Sequence, residues 1–294
     1  MKQRIHFEVS VKENVYFTIK FIFSVLIYLA LAALIVVLAT SENSEYNNAA
    51  YLSIPYVLLI VIILILRNGL LIGYLSGNAI RVNSKQFPDI YNIVDNQSNA
   101  LGLSSNPKVY ILQNGGLLNA FVTKFLGTNY IVLYSDIVDQ AYQQDINILE
   151  FVIGHELGHI KRKHGIKKLL LLPSMFIPFL SSAYSRACEY TCDNIGCALA
   201  PEGAKNGILL LAAGGSFKKV NAVEFINQDN QEDGFWKWFA EKISSHPDLT
   251  KRLKKFKITI SENIKIPSAK PVIHVAEEND KPNDADHSKY MPRM

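Results

Sequence analysis

The chain has 294 residues and a formal net charge of +4, enough length for one catalytic-size domain with added segments. Its basic residues form no patch interleaved with aromatics, which argues against nucleic acid as a partner. The three cysteines, Cys188, Cys192 and Cys197, fall within ten residues, an odd count that fits reduced, buried thiols in a cytosolic setting and not a disulfide framework.

In chain order, Phe21 to Ala39 is uncharged and almost wholly apolar. Roughly 20 helical residues cross the hydrocarbon core of a bilayer, so this run is long enough for a span and too long for the apolar part of a signal peptide. A second run goes from Ala49 to Leu66 and resumes from Gly69 to Leu75, past Arg67 and Asn68. Neither run carries the charged stripe of a soluble surface helix. Lys2, Arg4, Lys12 and Lys20 precede the first span, the loop 41–48 has no Lys or Arg, and Arg67, Arg81 and Lys85 follow the second. The positive-inside rule then places residues 1–20 in the cytoplasm, 21–76 as two transmembrane helices with a short extracytoplasmic loop, and everything after 76 in the cytoplasm.

Residues 77–87 read as a linker or the emerging end of the second helix. Pro88 and Asp89 open an amphipathic helix with Ile90, Ile93, Val94 and Leu101 on one face and Gly102 at its close. Pro107 to Leu112 reads as a strand. Leu118 to Phe125 and Asn129 to Tyr134 read as a hairpin turning at Leu126, Gly127 and Thr128. Helices are expected over Gln144–Lys163, Ser185–Leu199, from Pro201 to Gly214–Gly215, Phe235–Ile243 and Pro247–Phe256. From Ser261 the chain turns polar, with Pro267, Pro271 and Pro282, and reads as a disordered tail over 261–294. No internal repeat is visible. The expected class is α+β: two N-terminal transmembrane helices, then a helix-rich domain over 77–260 with a small β-sheet.

His155 and His159 are four residues apart, so on a helix they share a face and can bind one zinc ion. Glu156, beside His155, is placed to act on a metal-activated water as general base, with the zinc polarising a peptide carbonyl. Phe151, Val152 and Ile153 are apolar, and Gly154 and Gly158 permit close packing, so the helix is expected to be buried there. His164 sits 140° around the helix from His159 and is expected to face away, within the solvated run Lys161–His164. Catalytic zinc usually has three protein ligands and an open position. Glu189 is the best third ligand, and Asp193, four residues on, can accept the Nδ1–H of a ligand histidine. Cys188 and Cys192 are alternative thiolate donors.

Together these residues resemble the M48 family of metallopeptidases, whose membrane members include HtpX-like proteases and prenyl proteases. The resemblance rests on His155-Glu156-x-x-His159, on Glu189-x-x-x-Asp193, on His246-Pro247 followed by Arg252, and on Leu118-Asn119-Ala120-Phe121. It covers about 88 to 256. It implies a zincin-type peptidase domain with one Zn2+ per chain, held by His155, His159 and Glu189. It implies that Glu156 and His246 are catalytic, with His246 near the scissile carbonyl as an oxyanion donor, and that Arg252 ties the Asp193 region in place. It also implies that Asn119, Ala120 and Phe121 form an edge on which an extended substrate lies. The expected function is a membrane-anchored zinc metalloendopeptidase acting on unfolded or membrane-proximal polypeptides. Two roles stay open, quality control of membrane proteins and site-specific regulatory cleavage of a few partners near the membrane, and a bacterial inner membrane is the expected site. The rival is a non-catalytic scaffold or metal sensor that keeps the fold. This chain lacks the long hydrophobic hairpin that HtpX carries between its second and third ligands, and it is too short for the many spans of prenyl proteases.

Leu169 to Tyr184 is apolar enough to suggest a third span. It is expected not to cross. It has sixteen residues interrupted by Pro173 and Pro178, and a single crossing would put His155 and His159 on the opposite side of the bilayer from Glu189.

Overall fold

The computed structural model describes residues 5–232 and 234–262, with side chains described up to Phe256. The expected tail over 261–294 lies almost wholly outside the described residues. Two long helices open the chain, α1 (Val11–Ala39) and α2 (Ser44–Asn78). Both are long and apolar enough to cross a membrane, and their apolar side chains point outward into the surroundings. That pattern suits a helix whose solvent is lipid.

A short strand β1 (Ile80–Arg81) and α3 (Pro88–Ala100) follow, then β2 (Lys108–Leu112), β3 (Ala120–Phe125) and β4 (Thr128–Tyr134). The four strands form one sheet in the order β1-β2-β4-β3, with β2 and β4 parallel and the other pairs antiparallel. The β3–β4 hairpin turns on Leu126 and Gly127, both at positive φ, the geometry of a two-residue loop whose twist matches its strands. β3 is an edge strand.

The sheet shows why α2 belongs to the domain. Side chains alternate between faces along a strand. Val109, Ile111, Ile131 and Leu133 enter the main core, while Tyr110, Leu112, Tyr130 and Val132 pack on Leu71, Ile72 and Leu75 of α2. The end of the second apolar helix thus covers one face of the sheet, and the main core covers the other.

The remaining elements are helical: α4 (Ser135–Gln144), α5 (Asn147–Lys161), α6 (His164–Leu170), α7 (Leu180–Leu199), α8 (Pro201–Ala213), α9 (Ala222–Gln231), α10 (Phe235–Ile243) and α11 (Leu249–Glu262). The class is therefore α+β, as expected. Helices α4, α6 and α9 and strand β1 were not foreseen.

Helix α5 is the centre of the domain, with Ile148, Leu149 and every residue from Phe151 to Gly158 buried. It crosses α7 at short range. A Cβ added at Gly154 would stand 3.1 Å from Gly196 Cα, and one at Gly158 would stand 3.2 Å from Cys192 Cα. The glycines let the two backbones approach closely enough for side chains on both helices to meet one point.

The segment Leu169–Tyr184 is not one continuous helix. It leaves α6, forms a 3-10 turn over Pro173–Phe176, and enters α7 at Leu180. Pro173 and Pro178 stop a continuous helix from forming, as expected from their missing N–H groups. The turn packs back onto α1.

Candidate active site

Helix α5 brings His155, Glu156 and His159 to a cleft of about 760 Å³, and α7 brings Glu189 to the same point. His155 Nε2 and His159 Nε2 are 3.3 Å apart. Glu189 Oε2 is 3.3 Å from the first, and its Oε1 is 3.5 Å from the second. Donors on a tetrahedral ion with bonds of about 2.0–2.1 Å lie roughly 3.3 Å from one another. The three side chains would therefore suit a single zinc ion, which would supply a Lewis acid at the cleft.

Cys192 lies close enough to both histidines to join a metal-holding group. Burial pushes its thiol well above its ordinary value, and only a thiolate ligates. Glu189 is the better donor: burial raises its pKa, but its bond from His155 and the nearby imidazoles outweigh this and hold it well below the usual carboxylate range. Within the metal-free centre, burial also pulls His155 down, but Asp193 and Glu189 outweigh it and raise the imidazole to about 10. His159 goes the other way, lowered to about 3 chiefly by burial. Burial raises Glu156 to about 7, the range in which a carboxylate can both take and return a proton at neutral pH.

Two chains of polar contacts support the histidines. His155 Nδ1 lies 2.9 Å from Asp193 Oδ1, and Arg252 donates to both oxygens of Asp193 at 2.6 and 2.8 Å. All three residues are buried. His159 Nδ1 lies 3.0 Å from His164 Nδ1, and His164 Nε2 lies 3.2 Å from Glu13 Oε1 on α1. Arg162 also donates to Glu13, at 2.8 and 3.0 Å.

The position of His164 is a correction. It was expected to face solvent because a continuous helix would turn it away from His159. Helix α5 instead ends at Lys161, and Lys163 takes a left-handed conformation with φ 55°. The chain changes direction and returns His164 to the interior, where it is 1% exposed. Glu13 was missed altogether, because nothing in its local sequence sets it apart from a solvated acidic residue.

His246 stands at the mouth of the cleft, exposed, with Nε2 3.7 Å from Glu189 Oε1. Ser245 Oγ lies 3.0 Å from its Nδ1. The loop is held from behind by Arg186, which donates to the carbonyls of Glu241, Lys242 and Ser244 at the end of α10. Asn119, Ala120 and Phe121 line the opposite wall at the free side of β3. The residues expected at the site line this one cleft, except Asp193, which lies behind His155.

Three donors round one point, a buried carboxylate beside them and a sheet edge along the cleft have the form of a metallopeptidase centre. The family model "Peptidase family M48" matches residues 84–177 and 167–260. The chain belongs to peptidase family M48. A protease HtpX homolog from Bacteroides fragilis is 31% identical over 169 residues, which cover 54% of this chain and 50% of that protein. A CAAX prenyl protease 1 homolog from Dictyostelium discoideum is 31% identical over 80 residues, 26% of this chain and 18% of that protein. The chain thus spans half or less of the length of these relatives. The crystal structure of S. mikatae Ste24p, 15% identical, superposes with a TM-score of 0.43 over 85% of this chain and 67% of that one.

Proposed function

We propose that the chain is a membrane-anchored zinc metalloendopeptidase, with residues 77–260 as the catalytic domain on the cytoplasmic side of a bacterial inner membrane. The observation that carries the reading is the triangle of His155, His159 and Glu189 donor atoms, 3.3–3.5 Å on each side, opening on the cleft that Glu156 also lines. A zinc ion held there supplies a Lewis acid for the scissile carbonyl and for water. Every other role belongs to the chain. Glu156 takes the proton of the attacking water and returns it to the departing amine. His246 donates to the oxygen that gains charge. Asp193 accepts from His155 Nδ1 and leaves Nε2 for the metal, and Arg252 keeps Asp193 ionised.

An extended polypeptide can add to the free side of β3 near Asn119, Ala120 and Phe121, its main chain pairing with theirs. This binding is indifferent to side-chain sequence, which suits unfolded or membrane-proximal segments and a role in membrane-protein quality control. A scaffold or metal sensor would have no use for a buried carboxylate lining the cleft beside the ligands.

The test is hydrolysis of unfolded casein by the purified full-length protein, with and without chelator, beside Glu156→Gln. Wild type should cut, chelator should stop it and zinc should restore it. Glu156→Gln should lose on the order of 10²–10⁴ in rate, the usual share of a general base, while keeping zinc near one per chain. Loss of zinc from this variant, or an inert zinc-loaded wild type, would overturn the reading.

A further inference from the structure

Beyond α2, most of the large apolar side chains left exposed sit on two segments, Ile166–Phe179 and α10. Phe176 is 83% exposed and Trp236 77%. Helix α10, Phe-Trp-Lys-Trp-Phe-Ala-Glu-Lys-Ile, contains no buried residue. Single exposed apolar residues need no explanation, but contiguous ones mark a contact surface.

These residues are contiguous. Phe235 meets Trp236, Trp238 and Phe239 with ring centroids 5.2, 6.0 and 5.8 Å away. Phe239 meets Phe179 edge-on at 6.2 Å, which joins α10 to the segment after the 3-10 turn. Ser182 Oγ donates to the carbonyl of Ile243 at 2.9 Å, fixing the end of α10 to the first turn of α7. The borders are basic. Lys168 lies in the last turn of α6 and Lys242 in α10, with Lys242 Nζ 6.0 Å over the Trp238 ring, while the neighbouring Lys167 and Lys237 are paired with Glu13 and Asp229.

The level of this ridge is set by α1. Lys20, the last charged residue before the apolar run, donates to Ser181 Oγ at 2.6 Å. Ser24, one turn further along, is still buried, and α1 packs on the turn Pro173–Phe176. The domain therefore covers α1 slightly past the start of its apolar run, and the ridge begins at that height.

We propose that the aromatic ridge of Phe176, Phe179 and α10 inserts into the headgroup layer of an anionic bilayer, as a third attachment beside α1 and α2. Trp and Phe on one side with lysines at the rim are the chemistry that an anionic interface favours. Continuity with α1 selects lipid over a protein partner. The attachment holds α10, and with it the His246 loop, against the membrane surface. It deepens the proposed function and rests on that reading's membrane anchoring by α1 and α2.

The chain offers its own probe, because Trp236 and Trp238 are its only two tryptophans. Full-length protein is reconstituted in phosphatidylcholine–phosphatidylglycerol vesicles with part of the phosphatidylcholine brominated at the sixth and seventh acyl carbons. Tryptophan emission should be blue-shifted and fall by roughly half or more, as expected for interfacial rings, and aqueous iodide should quench weakly. A second protein, Trp236→Phe/Trp238→Phe/Phe176→Trp, reads the other half of the ridge and should behave alike. Strong iodide quenching with no bromolipid effect in both proteins would sink the proposal. So would a blue shift that depends on protein concentration, which means a second copy, or one that appears only with added casein, which means substrate. Alkaline extraction of the same vesicles checks anchoring separately. A chain that washes off would defeat the membrane reading itself, whereas a retained chain with water-exposed tryptophans would defeat only the ridge.

Discussion

His155 and His159 occupy adjacent corners of one donor triangle, yet they are braced from opposite sides of the domain by different chemistry. On the α7–α11 side the brace is ionic: Asp193 lies between His155 and Arg252, all buried. On the α1–α6 side it begins with a second imidazole, His164, and passes to Glu13 at the foot of an apolar helix. The first brace is internal to the peptidase domain. The second links the metal corner to α1, so the position of that helix is felt at His159. A His–carboxylate–Arg chain fixes its imidazole by charge. A His–His–carboxylate chain does so by directed hydrogen bonds, and it holds only while both helices keep their places.

The largest effect should come from the residue common to both sides. Glu189→Ala should lose zinc and activity together, whereas Cys192→Ser should keep both. Metal analysis after dialysis decides this. Zinc retained by the first variant and lost by the second would make the third ligand a thiolate.

His246→Ala touches neither brace. It should keep zinc and lower kcat by on the order of 10²–10³, the usual cost of one oxyanion donor, with little change in KM. Unchanged kcat would reduce His246 to part of the loop before α11.

The two braces themselves are compared by Asp193→Ala and His164→Ala. Each should weaken zinc binding by roughly 10–100-fold, the common cost of losing a ligand's hydrogen-bond partner. Asp193→Ala should also destabilise the fold, by about 3–5 kcal/mol, because it strands the buried Arg252 charge. His164→Gln, whose amide can accept from His159 and donate to Glu13, should recover much of the affinity. Chelator competition and thermal unfolding of the metal-free proteins separate these effects. Equal zinc affinity in wild type and His164→Ala would show that the second brace is packing only.

The smallest effect is a proton count. The metal-free His155 is raised to about 10, so near pH 7.5 it carries a proton that zinc must displace, while His159 is already neutral. Calorimetry in two buffers of different ionisation enthalpy should find about one proton released per zinc. The same shift fixes a stability trend. The folded pKa of His155 lies above its ordinary 6.5. Its contribution to the metal-free fold is therefore complete below about pH 6.5 and is lost as pH rises through about 10. No proton release would mean that His155 is neutral before metal arrives.

Much of the first brace was legible in the sequence. Residues 155, 156, 159, 189 and 193 sit at helical spacings, and helical periodicity is local, so four-residue separations on α5 and α7 translate directly into shared faces. The two apolar runs and the hairpin were legible for the same reason. The apolar character of α1 and α2 and the alternation of β3 and β4 are properties of neighbouring residues.

Only the tertiary structure decided the rest. A left-handed residue at Lys163 is a single backbone choice that no periodicity encodes, and it sends His164 inward instead of out. Glu13 meets His164 across 151 positions of chain, a pairing that exists only once α1 has docked on α7. The exposed rings of α10 look in sequence like an ordinary amphipathic helix, and their outward placement appears only when the core beneath them is already full. The sequence by itself therefore determined which residues of α5 and α7 could share one face, because those sit at local spacings. The tertiary structure alone decided what holds them in place, because that depends on contacts between segments far apart in the chain.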